Sequence, residues 1–211
     1  MMHGSRTLRR ARTALIALML LAFGEATAQG IAPRLGTRGG NGTAGNAARA
    51  NASPAQAAEA NAAVLRVARD IMRAARYAAL ITQDVGAGAA ARTIDPAPPD
   101  SGMVVRFVTN PRSRKVRQIG RDSRVALHYF DAKGLRYVTL YGRAREVRDG
   151  AAKRRLWHAE WTPFYPGRER DATLYEVIPE RAEVVSPGEG MAGDTVTWAA
   201  PTIRFPRQPS R

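Results

Sequence analysis

Beyond residue 62 the chain carries two hydrophobic periods in turn, and they divide it into elements. Val64, Leu65, Ala68, Ile71, Met72 and Ala75 recur at helical spacing, one apolar stripe that follows Ser53-Pro54 and a run of alanines. Alternating apolar and polar positions then predict strands over 77–83, 89–95, 103–109, 124–131, 135–147 and 172–185, with a last strand over 195–205. Val85-Gly86-Ala87-Gly88 and Ala132-Lys133-Gly134 supply turns between neighbours. Residues 149–161 read as a helix with Ala152, Leu156 and Trp157 on one side, and a shorter helix begins near Arg114. A meander of antiparallel strands with few helices predicts a mainly β chain with flanking helices, α+β in class, closing into a small barrel.

The pattern before residue 63 is different in kind. Residues 29–62 are Gly, Ala, Asn and Ser with almost no large apolar side chain, too little to offset the entropy of ordering, and read as a flexible tether. The folded domain is expected over 63–205, its first helix introduced near Pro54, with 206–211 as a tail. Ahead of the tether, Arg6, Arg9, Arg10 and Arg12 precede an apolar run over 14–23 and the small-residue site Ala26-Thr27-Ala28. That order predicts a signal peptide over 1–28, cleaved after Ala28, and a protein exported to the periplasm or secreted. Ten apolar residues are short for a bilayer, so the membrane is met only through this segment before cleavage.

Composition narrows the chemistry. The 211 residues hold no cysteine, which excludes disulfides, a thiolate nucleophile and Cys-based metal sites. His3, His128 and His158 are the only histidines, and none stands in a metal-ligand motif, so no metal is expected. The net charge of +15 favours anionic partners. Nucleic acid is not expected among them, because the arginines are scattered through all segments and no nucleic-acid motif occurs.

Residues 103–130 concentrate the remaining signal: a strand, a basic turn, a short helix and a second strand. Asn110-Pro111 marks the turn, and Ser113 stands where it could cap a helix starting at Arg114. The free N–H groups of that first turn, flanked by Arg112, Arg114 and Lys115, suit a phosphate, although three basic residues on a turn are also an ordinary solvated surface.

Several segments in one order carry a family resemblance. These are Leu80-Ile81-Thr82, Ala91-Arg92-Thr93-Ile94-Asp95-Pro96, Phe107-Val108-Thr109-Asn110-Pro111-Arg112-Ser113-Arg114-Lys115, Asp122-Ser123-Arg124-Val125 and Tyr137-Val138-Thr139-Leu140-Tyr141-Gly142-Arg143-Ala144. Together they resemble the pyridoxamine 5'-phosphate oxidase-like superfamily, nearest its general stress protein 26-type branch, over about residues 63–186. The resemblance implies an antiparallel split β-barrel of the FMN-binding type that forms a homodimer, with flavin mononucleotide (FMN) between the subunits. It implies that Arg92, Ser113, Arg114 and Lys115 grip the flavin phosphate. Thr93, Ile94, Val108 and Thr109 would line the flavin, and Tyr137 would stand at its ring.

The chain also departs from the family. The vitamin-metabolising oxidases carry a lysine where Pro96 and Ala97 stand, a glutamine where Tyr137 stands and a tryptophan where Val185 stands, and their Arg-x-His element has no counterpart in 186–193. The expectation is therefore an FMN-binding flavoprotein, an oxidoreductase of unassigned substrate and not a pyridoxamine phosphate oxidase. Two alternatives stand beside it: an exported haem-binding split barrel, in which His128 or His158 would ligate iron, and a binding protein that kept the fold without a cofactor. His128 among Tyr129 and Phe130, and Trp157 and Trp161 before Phe164 and Tyr165, also read as ordinary packing.

Overall fold

The computed structural model describes residues 53–206, except Val85 and the side chain of Glu169. The expected signal peptide, most of the tether and the last five residues lie outside them. The first element, α1 (Pro54–Ala75), begins inside the span expected to be a tether. Its start has a local cause: Ser53 and Gln56 form a reciprocal capping box, and Pro54 supplies a preset φ at the first helical position. Residues 53–62 are nonetheless all exposed, as their composition requires. The second half of α1 buries Val64, Val67, Ala68, Ile71 and Met72, and Leu65 and Ala75 pack at the margin of the same core.

Seven strands follow: β1 (Ala78–Asp84), β2 (Gly88–Ile94), β3 (Val105–Thr109), β4 (Arg124–Asp131), β5 (Arg136–Glu146), β6 (Thr173–Val185) and β7 (Thr202–Arg204). They form one wholly antiparallel sheet in the order β2-β1-β4-β5-β6-β3, with β7 on β6, and the barrel it outlines is not closed. Alternation along each strand aims Leu80, Phe107, Leu127, Leu140, Val177 and Val184 into the core, where α1 packs against β4 and β5. The opposite face of the sheet is the outer one.

Two expected elements are shorter than the sequence implied. The strand foreseen over 195–205 is reduced to Thr202–Arg204, because the Asp194 carboxylate accepts from the N–H groups of Val196 and Thr197 and folds 194–199 into a closed loop. The helix foreseen over 149–161 is α3 (Gly150–Leu156), capped by Asp149, after which Trp157 turns extended and a 3-10 turn spans Ala159–Trp161. The two indoles then meet edge to face at 5.7 Å and, with Val147, Leu174 and Ala97, build a second small core on the outer face. Of the other two aromatics, Phe164 is exposed and Tyr165 half-buried. The helix expected near Arg114 is α2 (Arg114–Arg121).

Candidate functional site

The turn between β3 and α2 is held locally. Asn110 accepts the Arg112 N–H on its side chain at 2.8 Å and the Ser113 N–H on its carbonyl at 3.0 Å. Ser113 takes the N-cap position with extended backbone, but its hydroxyl does not cap the helix. It lies instead 3.3 Å from the Thr109 hydroxyl, at the end of β3. The expectation of a Ser113 cap is thus corrected: that hydroxyl is engaged with Thr109, and no side chain caps the first turn of α2.

The same Thr109 hydroxyl accepts from the Lys115 ammonium at 2.9 Å, drawing that side chain inward. Across the gap to β2, the Arg92 guanidinium donates to the Thr82 hydroxyl at 2.7 Å, the Leu80 carbonyl at 3.3 Å and the Gln118 side-chain oxygen at 2.7 Å. Gln118 also accepts from Thr82 at 2.7 Å and donates to Asp84 at 2.6 Å. The fully buried Thr82 and the nearly buried Gln118 thereby set the plane of the arginine.

The electrostatics are those of an under-compensated cationic cluster. Burial lowers the Lys115 pKa, and the nearby Arg92 lowers it further. Burial, then the charge of Arg114, lowers the Arg92 pKa, with Asp84 acting in the other direction. Three cations therefore share a region in which one carboxylate, reached through Gln118, opposes them.

The structure does not gather every residue singled out from the sequence. Arg92, Thr109, Ser113, Arg114 and Lys115 come together. Thr93 is exposed on the outer face of β2, opposite Ala79, and Ile94 buries its side chain in the core. Val108 points away from Thr109 on β3 and packs against the second core. Tyr137 lies half-buried on the outer face of β5, beside Phe130 and Val185, with its ring 5.4 Å from that of His128. His128 engages Thr139 through Nδ1 at 2.9 Å, and His158 packs on Trp161. No group of three His, Cys, Asp or Glu able to hold a metal occurs among the described residues.

Sequence reasoning missed Thr82, Asp84 and Gln118. The available signal was parity: Thr82 shares the inward register of Leu80, and Gln118 lies one helical turn past Arg114. Two surface clefts, of about 180 and 430 Å³, include no residue of the cationic cluster. The Asp95–Pro99 loop rims the smaller one, with Tyr129 in its wall.

Among known families, the one described as pyridoxamine 5'-phosphate oxidase like matches residues 64–192. A comparison with curated proteins gives no match. Among solved structures, the chain is similar to a protein from Clostridium acetobutylicum related to general stress protein 26, with 16% identity and a TM-score of 0.56, covering 67% of this chain and 94% of that one. It is also similar to general stress protein 26 from Bacillus anthracis, with 15% identity and a TM-score of 0.51, covering 66% and 97%. At such identities the likeness establishes the fold, a split β-barrel.

Proposed function

The chain belongs to the pyridoxamine 5'-phosphate oxidase-like family, and on that premise we propose that its cationic cluster binds the phosphate of flavin mononucleotide. One observation carries the reading: Arg92, Arg114 and Lys115 crowd together, two with lowered pKa values, around two hydroxyls and an uncapped helix start. A phosphate dianion relieves that repulsion and takes charge-assisted hydrogen bonds from the same groups. The residues present therefore fit the phosphate end of the cofactor.

When bound, flavin supplies hydride or electron transfer, and the protein positions the ring and excludes water. In this reading Arg92, held by Thr82 and Gln118, fixes the phosphate. Thr109 and Ser113 orient it, and Lys115 neutralises it. A second subunit is proposed to meet the chain across the outer face, where Thr93 and Tyr137 stand, while the phosphate cluster itself is built from the inward residues Arg92 and Thr109 and the start of α2. The function proposed is that of an exported, dimeric flavoprotein acting as an oxidoreductase. With Ala97, Tyr137 and Val185 at the departures from the vitamin-metabolising oxidases, pyridoxamine phosphate is not its proposed substrate.

The test is a spectroscopic titration of the purified chain with flavin mononucleotide, riboflavin and haem. The expected result is flavin mononucleotide binding that exceeds riboflavin binding and weakens about 10–100-fold in Arg92→Ala and in Lys115→Ala, the size of one lost charge-assisted bond. Equal affinity for riboflavin removes the phosphate assignment. A Soret band abolished by His128→Ala or His158→Ala, without flavin uptake, replaces the reading with haem binding.

A further inference from the structure

A second basic site lies on the other side of the sheet. On β3 and β6, Thr109 and its partner Thr173 face inward, so Arg106 and Glu176 face outward. Glu176 is the middle of a row across three strands, opposite Arg106 of β3 and Arg145 of β5. Glu176 is buried, and its carboxylate accepts from Arg106 Nε at 3.0 Å and from Arg145 Nη2 at 2.9 Å. Arg106 also donates to Asp100 at 2.9 Å, so its guanidinium is fixed by two carboxylates. Asp100 and Glu176 together balance Arg106 and Arg145, and Arg145 is engaged through Nη2.

Beside this row the surface opens into the cleft of about 430 Å³, within the range of small-molecule sites. Val147, Ala152 and Leu156 line it with apolar surface, and Arg145, Arg148 and Arg155 add charge. Arg148 is paired at 3.3 Å with Glu146, whereas Arg155 forms no ion pair among the described residues. Of the two acids that line the cleft, Glu176 is held by Arg106 and Arg145, and Asp149 is occupied in part by capping α3, where it accepts the Ala152 N–H at 2.6 Å. The result is a concave apolar wall next to guanidinium groups with donors to spare. Guanidinium forks match carboxylates in a bidentate geometry, and an apolar wall contributes only to a ligand with an apolar body.

We propose that this cleft binds a small organic carboxylate, a single acid group on a compact apolar body, seated between Arg145 and Arg155 and against Val147 and Leu156. The site is separate from the flavin-phosphate cluster and does not rest on the flavin reading. Calorimetric titration of the full chain with phenylacetate tests it, with phenylacetamide as the uncharged analogue and inorganic phosphate as an anion without an apolar body.

The expected result is phenylacetate binding that neither control reproduces, weakened about tenfold in Arg155→Gln and further in Arg145→Gln/Arg155→Gln. Arg155 has no ion pair to lose, so its variant tests binding apart from folding, and an unchanged melting temperature verifies this. Three results overturn the proposal: no phenylacetate binding at about 10 mM, equal binding of phosphate, or a loss of binding in Lys115→Ala with none in Arg155→Gln.

Discussion

Lys115 shows how one side chain ties the pH behaviour of the protein to ligand binding. Its folded pKa lies below the ordinary 10.5 because burial and Arg92 both disfavour the ammonium form. Between the lowered value and 10.5 the unfolded chain binds more protons than the folded one, so stability without ligand rises with pH across that window. A bound phosphate needs the charged form, so its affinity moves in the opposite direction and falls as pH rises through the lowered pKa. Flavin mononucleotide affinity measured against pH is expected to show that alkaline fall, and riboflavin affinity is not. Lys115→Arg, whose guanidinium stays charged, should remove the fall while keeping affinity at neutral pH. Tyr129 makes a different point at the same scale. Its hydroxyl is buried without a hydrogen-bond partner, and burial alone holds its pKa well above the ordinary value. Tyr129→Phe leaves the ring in place and removes the unpaired group, so a gain of about 1 kcal/mol in chemical denaturation is expected. A loss of that size would mean that ordered water satisfies the hydroxyl.

Among the elements, the β5–β6 ladder is the most constrained. Its register shifts between Tyr141 and Gly142, and Gly142 lies opposite Pro179. A Cβ on Gly142 would stand 2.1 Å from the Ile178 carbonyl oxygen, which is backbone and cannot swing aside. Gly142→Ala is therefore expected to destabilise the fold by about 3 kcal/mol, read as a fall in the denaturation midpoint. That glycine was legible in the sequence as part of a family segment, but its reason was not, because the contact comes from a strand far along the chain. The same division runs through the rest of the molecule. β1, β2 and β4 were readable to within a residue or two because alternation and turn chemistry are local signals. The turn bearing Arg112, Ser113, Arg114 and Lys115 was readable for the same reason. Gln118 was not, since its bonds to Thr82, Asp84 and Arg92 cross 26 to 36 residues of sequence. Thr93 and Val108 were grouped with the inward-facing Thr109 through the family resemblance, and the pairing of β1 with β2 and of β3 with β6 turns their side chains to the opposite face. The shortened β7 followed from one carboxylate, Asp194, whose turn overrides the strand pattern around it.

For the whole molecule, the outer face of the sheet and the net charge act against each other. An antiparallel sheet with a solvated face normally turns polar residues outward. Here the outward register of β1, β4 and β5 presents Ala79, Ile81, Ala126, Phe130 and Tyr137, with Phe130 53% exposed. That patch suits burial against a second copy, the arrangement the flavin site is proposed to need. Two copies of a chain carrying +15 also repel each other, and salt screens the repulsion. Dimerisation is therefore expected to strengthen as ionic strength rises, measured by light scattering on a size-exclusion column. The cationic cluster predicts the opposite trend for the flavin phosphate, whose attraction salt weakens. Phe130→Glu separates the two effects, because it places a carboxylate in the patch and leaves Arg92, Thr109 and Lys115 untouched. The variant should run as a monomer at any salt concentration and bind flavin mononucleotide more weakly, with its melting temperature nearly unchanged because Phe130 is not part of the core. A monomer that kept full affinity would place the whole flavin site within one chain, and a variant that stayed dimeric would move the interface away from this face.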